Sequence, residues 1–175
     1  MSYAIRAATG GDVAAIEALL AAAFPKAAEA GLVRRLCIDG DMVLTLVADD
    51  EDTGALAGMI AFSRMTVEVD GKPVAAVALA PIATAAAHRG RGITDLLIRT
   101  GLRDLRSAGV ALCFVLGEPD FYGRHGFSAD WAKGFQSPYA GDHLMAVPLQ
   151  DGKMPCGVRG VAAHADAFAS LGEHA

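Results

Sequence analysis

The sequence predicts a mixed α/β domain, α+β in arrangement: a mostly antiparallel central sheet with one parallel, splayed strand pair, flanked by helices. Three observations carry this. Asp70-Gly71 separates two strand-like stretches, Leu56 to Val69 and Val74 to Thr84, and Asp-Gly in that setting signals a two-residue hairpin. From Val74 to Leu116 the pattern reads strand, glycine-rich turn, helix, strand, and such a crossover is right-handed with its two strands parallel. The hydrophobic content is 53% and the charged content 20% over 175 residues, enough for a substantial core in one domain.

The elements follow in order. Tyr3 to Arg6 is short and strand-like. Asp12 is placed as an N-cap, and Val13, Ile16, Leu19, Leu20 and Ala23 then share one helical face. Pro25 interrupts, and a second helix carries Leu32, Val33 and Leu36. Met42 to Ala48 reads as a strand and Asp49 to Gly54 as an acidic turn, so the strands 42–48, 56–69 and 74–84 are expected to be antiparallel neighbours. Pro81 has no N–H for a ladder, which implies a bulge or a strand edge there. If the strand parts from its parallel partner at this point, backbone groups of Ile82, Ala83 and Thr84 are left to pair with an extended ligand. Ile93, Leu96, Leu97, Leu102, Leu105 and Ala108 recur on one helical face that closes at Gly109. Val110 to Leu116 is continuously apolar, as a strand buried on both faces should be. His143 to Leu149 reads as a late strand, with Val158 to Val161 as a further strand and Asp166 to Leu171 as a helical turn.

Composition narrows the function classes. A net charge of -5 disfavours a nucleic-acid surface. The three cysteines, Cys37, Cys113 and Cys156, are odd in number and widely spaced, which fits free thiols in a reducing cytosol. Cys113 sits in an apolar run and reads as a small core residue. The first residues lack the charged and apolar regions of a signal peptide, and the longest uncharged stretch, Pro73 to Ala87, is too short and too alanine-rich to span a bilayer. The expectation is a cytoplasmic protein with no membrane or nucleic-acid partner. The five histidines and three cysteines show no zinc spacing, so no metal is expected.

The chemistry concentrates at Arg89-Gly90-Arg91-Gly92, between a strand and a helix N-terminus. The first N–H groups of a helix lack intrahelical partners, and the macrodipole places about half a positive charge there. Two glycines allow close backbone approach and two arginines add fixed charge, so the expected guest is a phosphate or pyrophosphate. The plain alternative is a solvated loop capping an ordinary helix. GxxxxGK[ST] is absent, and GxGxxG fails because Gly92 is followed by Ile93, Thr94 and Asp95.

Three segments together resemble the GNAT superfamily of acyl-CoA N-acyltransferases. Leu79-Ala80-Pro81-Ile82-Ala83-Thr84 followed by Arg89-Gly90-Arg91-Gly92-Ile93-Thr94 is similar to the family's pantetheine-binding strand and its Q/R-x-x-G-x-G/A pyrophosphate loop. Phe121-Tyr122-Gly123-Arg124-His125-Gly126-Phe127 resembles the aromatic-Tyr segment after the fifth strand, and Ile5-Arg6-Ala7-Ala8-Thr9 with Asp12 resembles the family's opening. Leu116-Gly117-Glu118-Pro119 is similar to a bacterial branch of predicted acetyltransferases without assigned substrates. The chain departs from the pattern at Thr94, where Gly or Ala is usual; its hydroxyl either donates to a phosphate or crowds it.

The resemblance implies an acyltransferase core over residues 1–150, with residues 151–175 as a C-terminal extension packed on the same domain. It implies acetyl-CoA, or another acyl-CoA, as co-substrate. Ile82, Ala83 and Thr84 would take the pantetheine arm, and Arg89, Gly90, Arg91, Gly92, Ile93 and Thr94 the pyrophosphate. Each charge-assisted contact there contributes about 1.5–3 kcal/mol. Tyr122 is the expected general acid, because a phenol near pKa 10 is protonated at neutral pH and can donate to a departing thiolate. A tyrosine merely packed between Phe121 and Phe127 is the competing reading. Glu118, Asp120, Glu68 and His88 are near enough in sequence or placement to be weighed as bases, and none is assigned. Arg124 and His125 read as structural or surface contacts. The acceptor is a primary amine of a small metabolite, a drug-like molecule, or a protein N-terminus or lysine, its pocket built by loops such as 25–41 and 128–142. A homodimer is left open. The rival is an acyl-CoA-binding sensor or pseudoenzyme without turnover. A nucleotide-dependent enzyme lacks any magnesium-binding signature.

Overall fold

Asp70 and Gly71 both take positive φ, 54° and 71°, the backbone twist that a two-residue hairpin needs. They join β3 (Leu56–Val69) to β4 (Lys72–Thr84). The remaining strands are β1 (Tyr3–Ala7), β2 (Met42–Asp50), β5 (Leu112–Leu116), β6 (Leu144–Pro148) and β7 (Arg159–Ala163). The computed structural model describes residues 2–24 and 28–169. In it the strands form a seven-stranded sheet in the order β1-β2-β3-β4-β5-β6, with β7 on β3. The β1–β2, β5–β6 and β3–β7 pairs are antiparallel and β4–β5 is parallel. This is the mostly antiparallel sheet with one parallel pair that the sequence predicts.

Two compact units divide the described residues: 2–62, 80–101 and 166–169 in the first, 63–79 and 102–165 in the second. In the first, α1 (Val13–Ala23) and α2 (Ala28–Asp39) bury Ile16, Leu19, Leu20, Leu32, Val33 and Leu36. Ile16, Leu19, Leu20 and Val33 join Val47, Met59, Ala61 and Ala83 in one apolar cluster. Asp12 precedes α1 but does not cap it with its side chain. Its carboxylate instead accepts from the Thr9 N–H at 2.7 Å and from both terminal nitrogens of Arg6 at 2.8 Å. This holds the Asp12 carboxyl well below the usual carboxylate range, the Arg6 hydrogen bonds being the larger cause. The expected acidic turn at Asp49 to Gly54 is shorter than predicted. Asp49 and Asp50 stay in β2 because they pair with Ala4 and Tyr3 of β1. The helix expected from Ile93 is α3 (Ile93–Ser107), and Pro25 lies outside the described residues.

In the second unit, β4 and β5 are registered at Ala76↔Leu112, Val77↔Cys113 and Ala78↔Phe114. The β5 side chains Leu112 and Phe114 lie in a cluster with Met65, Val67, Phe135, Leu144 and Ala162. Two short helices that the sequence reading did not assign follow β5: α4 (Pro119–Gly123) and α5 (Ala129–Ala132). Ser128 caps α5, accepting from the Asp130 N–H at 3.2 Å. The late strand β7 enters the sheet one residue after the predicted Val158, and pairs Thr66↔Ala163 and Val67↔Ala162. Of the predicted turn 166–171, Asp166–Phe168 form a 3-10 turn; residues 170 and 171 lie outside the described set.

Candidate functional site

The first compact unit gathers nine of the ten predicted site residues on one strand–loop–helix passage. β4 runs six residues past its last registered pair with β5, at Ala78, to end at Thr84. A 3-10 turn, Ala86–His88, then leads into Arg89-Gly90-Arg91-Gly92. Gly90 and Gly92 both have φ of 77°, while Arg91 between them does not have positive φ. Successive residues of opposite hand turn neighbouring N–H groups toward a common point, the geometry of an anion-binding nest. Side chains rarely adopt those two angles, so glycine is required at both. The Gly92 carbonyl accepts the N–H of Leu96 at 3.0 Å, the first bond of α3. The N–H groups before Leu96 therefore lack intrahelical acceptors, and the positive end of the α3 dipole coincides with the nest.

Packing brings the strand end and the helix start together. Ala83 and Ile93 are buried. A Cβ on Gly58 of β3 would lie 3.0 Å from Ile93 Cγ2 and 3.1 Å from the Ala83 carbonyl oxygen, so this glycine lets the first turn of α3 sit down on β4. Thr84 Oγ1 and Thr94 Oγ1 are 3.0 Å apart and share a hydrogen bond. The hydroxyl at the one unusual motif position is thus tied to the end of β4. Arg89 and Arg91 are exposed. Arg91 Nη1 donates to the Tyr3 hydroxyl at 3.0 Å, a contact that sequence reasoning missed because the two residues are 88 positions apart. His88, weighed as a base, has its Nδ1 2.9 Å from the same hydroxyl.

The tenth residue, Tyr122, belongs to the second unit. It lies on α4, whose Pro119 fits the first helical turn, where a missing N–H costs nothing. Its ring meets Phe121 edge-on at 4.9 Å and Phe127 at 5.8 Å. The ring also rests on Gly117, where a Cβ would lie 2.5 Å from Tyr122 Cε2. Gly117 is pinned to His143, donating its N–H to the His143 carbonyl at 3.0 Å while its own carbonyl lies 3.0 Å from His143 Nδ1. Partial burial pushes the Tyr122 phenol above its ordinary value, with the nearby Cys113 thiol as a smaller cause. Cys113 itself is fully buried, which raises its pKa and suits a core residue. Arg124 stacks over the Phe121 ring at 4.8 Å, and His125 lies 6.0 Å from it. Glu118 and Asp120 are exposed and Glu68 is partly buried on β3. Residues 129–144 surround a cavity of about 310 Å³ whose lining includes Asp130, Lys133 and Asp142; the segment read as a loop at 128–142 therefore contains α5. Likewise most of 25–41 is α2. Among the described residues, no group of three or more His, Cys, Asp or Glu side chains is arranged to hold a metal ion, and no helix is long and apolar enough to cross a membrane.

Comparisons with known proteins bear on this arrangement. A sequence profile described as an acetyltransferase (GNAT) domain matches residues 4–129. The chain is 41% identical over 116 residues to the uncharacterised N-acetyltransferase YhbS of Escherichia coli K12, covering 66% of this chain and 68% of that protein. The crystal structure of E. coli YhbS in complex with CoA superposes with a TM-score of 0.86 at 32% identity, over 95% of this chain and 92% of that one. A GNAT acetyltransferase from Brucella melitensis in complex with acetyl-CoA gives a TM-score of 0.77 at 28% identity, over 95% and 98%.

Proposed function

The chain belongs to the GNAT family of acetyltransferases, and on that footing we propose that it transfers an acetyl or other short acyl group from acyl-CoA to a primary amine. The observation that carries the proposal is the loop from Arg89 to Thr94. Two glycines of positive φ, two arginines and a helix N-terminus come together there, the combination that suits a phosphate anion. The exposed chemistry of the loop therefore selects the nucleotide end of the co-substrate. Two similar proteins were crystallised with CoA and with acetyl-CoA, which supports the same guest here.

In the proposed reaction the amine nitrogen attacks the thioester carbonyl carbon. The new C–N bond forms, the C–S bond breaks, and the thiolate leaves. Backbone groups of Ile82, Ala83 and Thr84 hold the pantetheine arm. Tyr122 gives its phenolic proton to the departing sulfur, the amine loses a proton to solvent, and the phenolate takes one back from solvent, so the protons balance over a turnover. Burial suits Tyr122 to this role, because it keeps the phenol protonated above its ordinary pKa. His88 is occupied by Tyr3, which argues against it as the base.

A thiol-release assay with acetyl-CoA and a panel of primary amines tests the proposal. Release of CoA thiol that depends on both substrates supports an acetyltransferase. Binding of acetyl-CoA with no release across the panel supports the sensor reading instead.

A further inference from the structure

β1 brings Tyr3 to the phosphate loop. Tyr3 and Asp50 are direct partners across the β1–β2 ladder, and the 3-10 turn ahead of the loop sets His88 beside them. The Tyr3 and His88 rings meet edge-on with centroids 5.6 Å apart. The Tyr3 hydroxyl accepts from Arg91 Nη1 at 3.0 Å and lies 2.9 Å from His88 Nδ1. The hydroxyl oxygen takes the arginine N–H on one lone pair, and either the phenol or the imidazole supplies the proton shared with His88 Nδ1. His88 Nε2 faces the Asp50 carboxylate, 4.0 Å away. Asp50 is only 2% exposed, and its other oxygen accepts the Asp52 N–H at 2.9 Å. The row Arg91–Tyr3–His88 thus ends beside a buried, backbone-held carboxylate.

From this row we propose that Tyr3, backed by His88, is a positioning residue that holds Arg91 at the phosphate loop and so sets affinity for the nucleotide end of acyl-CoA. The proposal rests on the functional reading above, in which the Arg89–Thr94 loop takes the pyrophosphate. The physical reason is the cost of ordering. An untethered arginine on a glycine loop carries rotamer entropy, which a ligand must offset when it immobilises the side chain. A guanidinium tethered before the ligand arrives has already lost part of that freedom, so binding gains by preorganisation. Nothing in the loop motif itself names Tyr3, because the residue comes from the opposite edge of the sequence.

The test is a calorimetric double-mutant cycle with CoA as the titrant, on the wild type, Tyr3→Phe, Arg91→Ala and the double variant. Tyr3→Phe keeps the ring and its edge contact with His88 and removes only the hydroxyl. It is expected to weaken CoA binding about threefold to tenfold, the effect of one net hydrogen bond. Arg91→Ala is expected to weaken it about tenfold. In the double variant the loss should equal that of Arg91→Ala alone, because Tyr3 acts through the arginine. His88→Asn, whose side-chain oxygen can still accept from Tyr3, should bind CoA as the wild type does, whereas His88→Leu should behave like Tyr3→Phe. A double variant whose loss is the product of the two single losses would overturn the proposal, as would Tyr3→Phe binding like wild type while Arg91→Ala is weakened. If Arg91→Ala and Arg89→Ala both bind CoA normally, the loop reading itself fails, and the inference falls with it.

Discussion

Gly117→Ala probes the seat of Tyr122 without touching Tyr122. A Cβ at position 117 would lie 2.5 Å from Cε2, 3.0 Å from Cδ2 and 3.5 Å from Cζ of the ring. Carbon atoms in good contact sit at about 3.5–4.0 Å, so the ring must retreat by roughly 1 Å. It cannot retreat freely, because Phe121 and Phe127 stand against it at 4.9 and 5.8 Å. Nor can position 117 yield easily, since both its N–H and its carbonyl are engaged with His143. Overpacking of this kind costs about 1–3 kcal/mol of stability. The effect on chemistry should be larger than the effect on folding. A displacement near 1 Å of a positioned catalytic group lowers rate by about 100-fold. The expected outcome is a folded protein with a modestly lowered Tm, near-normal acetyl-CoA affinity, and kcat reduced by about two orders of magnitude. Thermal unfolding, calorimetry and thiol-release kinetics measure the three. A Gly117→Ala protein with wild-type kcat would refute the reasoning that this glycine places a working phenol.

Other expectations follow from the same contacts. Tyr122→Phe should lower kcat by about 10²–10⁴-fold with little change in acetyl-CoA affinity, measured by thiol release and calorimetry. Since burial raises the Tyr122 pKa, the alkaline limb of the wild-type kcat profile that reports this phenol should lie above 10 and be absent in Tyr122→Phe. Thr94→Ala loses the bond to Thr84 and removes a branched side chain from the loop, so CoA affinity by calorimetry should be unchanged or slightly better; a large loss would make the hydroxyl a phosphate donor. Gly101→Ala would drive a Cβ into the Phe62 ring, and should destabilise by about 1–3 kcal/mol in a denaturant melt.

The parts of the fold that were legible in the sequence are those fixed by local chemistry. Asp70-Gly71 fixed the hairpin because few residues accept two successive positive φ values. The α3 face and the apolar run of β5 followed from periodicity and from burial on both sides. The tight turn at Gly90 and Gly92 was legible for the same reason, two glycines at angles other residues avoid. What was not legible depends on distant partners. Asp49 and Asp50 look like turn residues until β1 pairs with them. Asp12 has the chemistry of a cap, but Arg6 and the Thr9 N–H take its carboxylate. The helix α4 did leave a signal, since Glu118-Pro119-Asp120 places proline and acid in a first turn. Tyr3 and Gly58 left none: each touches a residue brought near only by the folded sheet.

The most direct measurement is a calorimetric titration of CoA into the wild type and into Arg89→Ala. The account predicts saturable binding to the wild type and about tenfold weaker binding to the variant, the loss of about 1.4 kcal/mol from one phosphate contact. A wild type indifferent to CoA, or a variant that binds it equally well, would contradict the assignment of this loop to the pyrophosphate.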